Sequence, residues 1–122
     1  MVLVHDAARP LASPALFASV LDALGADPRA QGVVPGLPVT DTVKRVREGL
    51  VVETPARDEL VAVQTPQAFV ASVLRAAASG EGSDCASLVE AAGGRVKVVE
   101  GDERLIKVTT PDDLRRVEAL LA

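Results

Sequence analysis

Several polar side chains stand where apolar runs of the sequence stop, which is where α/β proteins bind their ligands. Asp6 and Arg9 follow the run VLVH. Thr65 lies in the stretch QTPQAF, and Lys107 lies within the run LIKV. In open α/β sheets the ligand crevice lies beyond the carboxyl ends of the strands. A carboxylate, two cations and a hydroxyl at this edge would offer charge and hydrogen bonds to a ligand.

Each of these residues also has an ordinary structural alternative. Asp6 could start a turn, Arg9 could be a solvated charge, and Thr65 could cap the helix that follows it. Two further candidates, Thr42 and Arg57, lie on or beside a polar hairpin. The charge run DTVKRVREG in that hairpin is ordinarily a solvated face, or else an arm that clasps a partner. Spacing alone does not decide between these interpretations.

The two residue types most often used for proton transfer and nucleophilic attack occur once each. His5 lies within the first apolar run, which favours a packed or hydrogen-bonded role over proton transfer. Cys85 stands near a predicted helix start without a second cysteine, which favours a structural role. One cysteine permits no internal disulfide and is typical of a cytoplasmic protein.

The elements that must position these residues alternate between strands and helices. Ser13 and Pro14 predict a helix start that ends at Gly25, and Thr110 followed by Pro111 predicts the start of the last helix. Gly49 supplies the turn of the polar hairpin. Strands are predicted over residues 2–5, 32–35, 39–46, 50–54, 95–99 and 105–108, and helices over 14–24, 69–78, 84–92 and 111–121.

Composition limits the class of protein. At 122 residues, with 48% apolar and 25% charged residues, the chain is the size of one globular domain. Aromatic residues make up only 2%, so the core must consist of Ala, Val and Leu. A net charge of −4 argues against general binding to nucleic acid or to anionic membranes. No apolar run of about 18 residues predicts a membrane span.

This alternation predicts an α/β sheet covered by helices on both sides. A strand as apolar as VLVH is expected at the centre of a parallel sheet, yet nothing in the sequence precedes it as a neighbour. Two explanations stay open. Either part of a larger domain lies outside this sequence, or the sheet is small and an oligomeric partner covers its edge.

Five blocks of sequence closely resemble the 2-C-methyl-D-erythritol 4-phosphate cytidylyltransferase family, in its C-terminal half. In order, they are VHDAARP, PVTDTVKR, RDELVAVQTPQAF, SDCASLVEAAGG and VEGDERLIKVTTPDDL. The resemblance covers essentially residues 1–122 and implies the C-terminal portion of a single Rossmann-like domain. This fold has a mostly parallel sheet, helices on both faces and a projecting β-hairpin dimerisation arm at about 38–58. The glycine-rich loop that grips CTP in the family has no match before Asp6, so we expect the N-terminal part of the fold to be absent and the segment alone to be inactive.

The resemblance implies transfer of CMP from CTP to 2-C-methyl-D-erythritol 4-phosphate, with Mg²⁺ bound mainly through the CTP phosphates. Arg57 and Lys107 are expected to be catalytic, with Arg57 reaching into the site of a neighbouring subunit. Cofactor binding is expected at Asp6 and Ala7. The residues expected to contact substrate are Asp6, Arg9, Thr42, Arg57, Thr65, Ser83 and Lys107.

Arginine and lysine suit this reaction because two polyanions must be brought together. Phosphate monoesters are already ionised at neutral pH, so positioning does most of the work. We expect a cytoplasmic homodimer joined through the arm, with no nucleic-acid or membrane partner. The alternatives are a ribitol-5-phosphate cytidylyltransferase, and a non-catalytic fragment that binds a sugar phosphate or only dimerises.

Overall fold

The structure, a computed structural model, describes residues 1–80 and 82–122. These residues form a five-stranded sheet, a separate two-stranded hairpin and four α-helices. The strands are β1 Val2–Val4, β2 Gly32–Pro38, β3 Arg45–Arg47, β4 Leu50–Glu53, β5 Val61–Val63, β6 Gln67–Phe69 and β7 Val96–Glu100. The helices are α1 Pro14–Ala26, α2 Ala71–Ala77, α3 Cys85–Ala91 and α4 Pro111–Leu121, and a 3₁₀ turn spans Arg57–Glu59.

The large sheet is mixed. β2 is its axis, with β7 parallel along one side and β6 and β5 antiparallel along successive parts of the other. β1 pairs antiparallel with β6. The α/β class is confirmed, but the sheet is not mostly parallel within these residues, since only the β2–β7 pairing is. The reason is that the hairpin leads the chain back beside the strand it came from, which reverses its direction.

The expected central position of the first strand is not found among the described strands. β1 lies at the edge of the sheet and is half-buried along its whole length. Its two faces are nevertheless both covered by apolar side chains: Leu3 packs into one core, whereas Val2 and Val4 pack into the other. This explains why its sequence is apolar without alternation.

Helices cover both faces of the sheet, as expected. Consecutive side chains of a strand point to opposite faces, so Val33 of β2 packs against α1 and Val34 packs against α2 and α3. β6 follows the same rule, with Ala68 in the first core and Phe69 in the second. Phe69 is completely buried and is the largest such side chain.

Side-chain caps begin three of the helices where the sequence predicts them. The Ser13 hydroxyl accepts a hydrogen bond from Leu16 N at the start of α1. A capping box opens α3 at Asp84 and another opens α4 at Thr110. Gly93, with a φ of +85°, follows the end of α3. These signals are local, which is why the predicted starts of these helices are confirmed.

Three other segments differ from the prediction. The helix predicted from residue 69 begins only at Ala71, because residues 67–69 form a strand. β5, Val61–Val63, was not predicted. Residues 105–108 do not form a strand: Val108 N donates to Ala8 O at 2.8 Å, which joins the segment to the loop after β1. Leu105 is buried and Ile106 and Val108 are half-buried, although the segment does not join the sheet.

The polar hairpin is present, although it begins at Arg45 and not at residue 39. Glu48 and Gly49 form its turn with φ angles of +50° and +79°, which are the positive values that a two-residue hairpin turn needs. The Glu53 carboxylate accepts a hydrogen bond from Arg45 Nε at 2.7 Å, and this bond raises the pKa of Arg45. Every residue of β3 and β4 is exposed.

Candidate functional site

A cavity of about 390 Å³ opens at the carboxyl end of β1. Its walls come from the loop after β1, the turn between β5 and β6, the residues before α3 and the segment before α4. Five of the residues that the resemblance implicates line this cavity: Asp6, Arg9, Thr65, Ser83 and Lys107. The structure therefore brings them together from positions up to a hundred residues apart in the sequence.

One carboxylate lies between two cations on the wall of the cavity. Asp6 Oδ2 lies 3.6 Å from Arg9 Nε and 3.5 Å from Lys107 Nζ. The Arg9 side chain is only 13% exposed, whereas those of Asp6 and Lys107 are 40% and 50% exposed. A ligand can therefore reach the lysine and the carboxylate directly. The net charge of the group is positive, which suits a ligand that carries both phosphate and hydroxyl groups.

Backbone contacts hold Arg9 and Lys107 in this arrangement. Arg9 N donates to Asp6 O at 3.0 Å, which closes a tight turn after β1. Arg9 Nη1 donates to Leu105 O at 3.0 Å, and Leu105 is fully buried. Together with the bond from Val108 N to Ala8 O, this contact ties the loop after β1 to the segment before α4. Lys107 lies between the two tied residues, Leu105 and Val108. The buried Arg9 Nε has no hydrogen-bond partner among the described residues.

A buried glutamine fixes the other end of the segment that carries Lys107. Gln64 Nε2 donates to Asp102 O at 2.9 Å, and Gln64 Oε1 accepts from Asp102 N at 2.9 Å. Gln67, also buried, lines the cavity and donates from Nε2 to Gln64 O at 3.2 Å. Sequence reasoning missed both glutamines. The only signal was their position on either side of Thr65 in QTPQ.

Thr65 and His5 connect the turn between β5 and β6 to the loop after β1. Thr65 Oγ1 accepts a hydrogen bond from Asp6 N at 3.0 Å and lies 3.0 Å from His5 Nδ1. His5 Nε2 lies 3.0 Å from Arg9 O, and the ring packs edge-on against Phe17 with centroids 5.3 Å apart. The hydrogen-bonded role predicted for His5 is confirmed. Thr65 does not cap α2, whose N-cap is Val70.

The remaining wall is formed by the residues that lead into α3. Ser83 and Cys85 both line the cavity, and the Cys85 thiol is free. Asp84 also lines it, but its carboxylate accepts a hydrogen bond from Ser87 N at 2.7 Å as the helix cap. Ala7 lies exposed in the turn between Asp6 and Arg9 and does not line the cavity.

Thr42 and Arg57 lie away from the cavity within this chain. Both are exposed, and Arg57 Nη1 donates to Thr40 O at 2.7 Å beside the hairpin. The structure thus divides the predicted site into a group around Asp6 and a group at the base of the hairpin. Within one chain, Thr42 and Arg57 do not line the cavity around Asp6.

The carboxylates that line the cavity are already engaged by other groups of the described residues. Mg²⁺ prefers several oxygen ligands in an octahedral arrangement. No group of three or more His, Cys, Asp or Glu able to hold a metal occurs among the described residues. Of the two carboxylates on the cavity wall, Asp84 is used as a helix cap and Asp6 lies against two cations.

A larger and more open depression of about 1070 Å³ lies elsewhere, over β5, β2 and β7. Its lining carries three acidic residues, Glu100, Asp102 and Glu103, with one cation, Arg104, and none of the cluster around Asp6 lines it. Since carboxylates outnumber cations there, whereas two cations meet one carboxylate in the cluster around Asp6, the smaller cavity is the better candidate site for an anionic ligand. None of the helices in the described part of the chain is both long and apolar enough to cross a bilayer.

Comparison with protein families gives a match over the whole chain. The family model described as IspD: 2-C-methyl-D-erythritol 4-phosphate cytidylyltransferase matches residues 1–122. The bifunctional enzyme IspD/IspF of Clavibacter michiganensis subsp. michiganensis is 54% identical over 99% of this chain and 30% of its own length. The 2-C-methyl-D-erythritol 4-phosphate cytidylyltransferase of Rhodococcus jostii is 51% identical over 98% of this chain and 54% of its own.

Solved structures give the same result. The crystal structure of 2-C-methyl-D-erythritol 4-phosphate cytidylyltransferase from Thermus thermophilus matches with a TM-score of 0.82 and 41% identity, over 98% of this chain and 61% of that one. The 4-diphosphocytidyl-2C-methyl-D-erythritol synthase of Anaerococcus prevotii matches with a TM-score of 0.87 and 34% identity, over 98% and 57%. The chain thus spans about half or less of the length of the curated relatives named above. The expectation of the C-terminal half specifically is not borne out by these matches.

Proposed function

The chain belongs to the 2-C-methyl-D-erythritol 4-phosphate cytidylyltransferase family, and on that premise we propose that it contributes the sugar-phosphate side of a cytidylyltransferase site. The reaction joins CTP and 2-C-methyl-D-erythritol 4-phosphate into CDP-methylerythritol and pyrophosphate. The observation that supports this proposal best is the cluster of Asp6, Arg9 and Lys107 on the cavity wall. The side-chain nitrogens Arg9 Nε and Lys107 Nζ each lie within 3.6 Å of Asp6 Oδ2.

The chemistry asks for positioning more than for acid or base catalysis. An oxygen of the methylerythritol phosphate attacks the α-phosphorus of CTP, and the bond from that phosphorus to the pyrophosphate oxygen breaks. No proton has to be removed from the attacking phosphate, which is already ionised at neutral pH. The main barrier is the repulsion between two polyanions, so fixed cations near the attacking oxygen lower it.

In this proposal Lys107 and Asp6 bind different parts of the substrate. Lys107 Nζ exchanges its contact with Asp6 for one with the substrate phosphate, since both side chains are half exposed. The Asp6 carboxylate, an acceptor only, then takes hydrogen bonds from polyol hydroxyls. The more deeply buried Arg9 supplies a second fixed positive charge behind them. Ser83 offers a hydroxyl from the residues before α3 that also line the cavity.

The second group of residues is proposed to serve a neighbouring subunit. Thr42 and Arg57 lie beside an exposed hairpin that carries apolar side chains, of which Val46, Leu50 and Val51 are the most exposed. A hairpin of this kind can clasp a copy of itself in a two-fold homodimer. Arg57 would then hold the substrate phosphate in the site of the partner as a catalytic residue, beside Lys107 of that site, with Thr42 contacting the same substrate.

The CTP side of the site completes the proposal. CTP would approach Asp6 and Ala7 in the turn after β1, with Mg²⁺ held mainly by its phosphates. Because the chain spans about half of the length of its relatives, we propose that the 122 residues alone give no turnover. The same proposal places the protein in the cytoplasm.

The decisive assay measures pyrophosphate release from CTP and Mg²⁺ with 2-C-methyl-D-erythritol 4-phosphate or ribitol 5-phosphate as acceptor. It compares the chain alone with the chain joined to the part of the Rhodococcus jostii relative that it does not match. We expect turnover only in the joined protein and only with methylerythritol phosphate. Turnover with ribitol 5-phosphate would instead support the other cytidylyltransferase, and no turnover with either acceptor would contradict both.

Mixed dimers test the shared site. In the joined protein, Arg57→Ala and Lys107→Met should each abolish most activity, with Lys97→Met on the exposed face of β7 as a matched control. Mixing the two inactive variants should restore part of the activity, because one of the two sites in a mixed dimer then has both residues intact. An absence of recovery, with dimers demonstrably mixed, would rule out the exchange of Arg57 between subunits.

A further inference from the structure

We infer that His5 and Thr65 are a positioning pair that fixes the loop carrying Asp6 and Arg9, with the hydroxyl proton of Thr65 donated to His5 and not to the substrate. This assigns a role to the single histidine, and it changes the role implied for Thr65 from a substrate contact to a support. The inference deepens the proposed function and rests on it only where a ligand is used as the readout.

The partners of the histidine ring determine its protonation pattern. His5 Nε2 lies 3.0 Å from Arg9 O, and a backbone carbonyl can only accept a hydrogen bond. Nε2 must therefore carry a proton. In the neutral ring the other nitrogen, Nδ1, is then an acceptor. The tautomer thus follows from the contact with the loop.

The two partners of the Thr65 hydroxyl determine where its proton points. A threonine hydroxyl has one proton to donate and two lone pairs that can accept. Thr65 Oγ1 lies 3.0 Å from the acceptor His5 Nδ1, so its proton points there. One lone pair accepts from Asp6 N at 3.0 Å. Thr65 then has no proton left for a substrate, unless the ring carries protons on both nitrogens.

The result is a closed chain of hydrogen bonds around the loop. It runs from Asp6 N to Thr65 Oγ1, from Thr65 to His5 Nδ1, and from His5 Nε2 to Arg9 O. The imidazole ring therefore holds Arg9 O directly and Asp6 N through Thr65, and it packs edge-on against Phe17. Ties of this kind pre-organise the charges of Asp6 and Arg9 before any ligand arrives.

Nitrogen NMR of the ring tests the tautomer directly. Because the chain has one histidine, its two ring nitrogens are assigned without ambiguity in the ¹⁵N-labelled 122-residue protein. We expect a protonated Nε2 and an unprotonated Nδ1 at neutral pH, and we expect hydrogen exchange at the Asp6 amide to quicken at least about tenfold in Thr65→Val. A proton on Nδ1, or an unchanged Asp6 amide in Thr65→Val, would overturn the inference. Thr65→Ser should keep both signatures, and Ser19→Ala, which removes a hydroxyl bonded within α1, should change neither.

A double-mutant cycle separates support from direct contact. His5→Phe keeps a ring against Phe17 but removes the acceptor for Thr65. With 2-C-methyl-D-erythritol 4-phosphate as the titrant, His5→Phe and Thr65→Val should each weaken binding about tenfold, and the double variant should lose no more than either one. If Thr65 donated to the substrate itself, the losses would multiply to about a hundredfold.

The two proposals fail in different ways. If the unaltered protein, alone and joined to the Rhodococcus jostii segment, does not bind the titrant, the proposed function is contradicted. The tautomer and the Asp6 exchange rate then still decide whether His5 and Thr65 support the loop. If the titrant binds and the losses multiply, the proposed function stands and the positioning pair is refuted.

Discussion

Replacing Gly101 with alanine is expected to loosen the segment that carries Lys107. A Cβ at Gly101 would overlap Gln64 Oε1 and lie 3.2 Å from Gly36 O. The glutamine side chain is buried and both of its amide atoms are hydrogen-bonded to Asp102, so it cannot move aside without breaking those bonds. The new methyl group has no free direction, because the Gly101 amide itself donates to Gly36 O at 2.9 Å.

The size of the effect follows from these contacts. Two neutral hydrogen bonds contribute about 1 to 3 kcal/mol together, and overpacking a tight site costs about 1 to 3 kcal/mol. We therefore expect Gly101→Ala to lower the free energy of unfolding by about 2 to 6 kcal/mol, measured by urea denaturation. The matched control is Gly25→Ala in α1, where the new Cβ would make an ordinary contact at 3.6 Å with Met1 Cε. That variant should gain about 0.5 to 1 kcal/mol, because alanine favours a helix over glycine.

A second substitution tests the cause. In a Gln64→Ala background the overlap is gone, so adding Gly101→Ala should cost much less than it does in the unaltered protein. The reasoning would be refuted if Gly101→Ala were as stable as the original protein. It would also be refuted if the cost were the same in both backgrounds, since the strain would then come from the Gly36 carbonyl and not from the clamp.

Three other outcomes follow from the structure. Lys107→Met should weaken binding of 2-C-methyl-D-erythritol 4-phosphate by about ten- to a hundredfold in calorimetry, because a hydrogen bond to a charged group is lost, while Lys97→Met should leave it unchanged. Phe69→Ala should destabilise the protein by about 3 to 5 kcal/mol in urea, since the ring is fully buried in the core that β6 shares with α2 and α3. The backbone of Thr109 donates to the carboxylate of Asp113 and holds its pKa below 3.8. The native state therefore binds fewer protons there, and the advantage in Tm of the original protein over Asp113→Asn should be present above pH 4 and vanish as the pH falls through the lowered pKa.

Most of the secondary structure was predictable because its signals are local. The caps at Ser13 and Thr110 and the turn at Gly49 involve partners within four residues, so the sequence alone specifies them. The predicted strands over 95–99 and 2–5 agree with the structure to within a residue. β5 and the strand at 67–69 were missed because their pairing with β2 depends on a chain reversal through the hairpin, which no local pattern encodes.

The cavity residues divide in the same way. The types of Asp6, Arg9 and Lys107, together with the family resemblance, were enough to name them as candidates. Their distances were not predictable, because the contact of Arg9 with Leu105 spans 96 residues. The clamp made by Gln64 spans 38 residues and had no sequence signal beyond the glutamine itself.

The sequence by itself determined the α/β class, the starts of α1, α3 and α4, the hairpin turn and the residue types available for a phosphorylated ligand. The tertiary structure decided that sheet order is mixed, that residues 105–108 pair with a loop, and that Thr65 is bonded to Asp6 across 59 residues. The physical reason is the range of the interactions. Caps and turns are satisfied by neighbours along the chain, whereas the partners of Asp6, His5 and Lys107 are chosen only when distant segments pack and their polar groups must find hydrogen bonds.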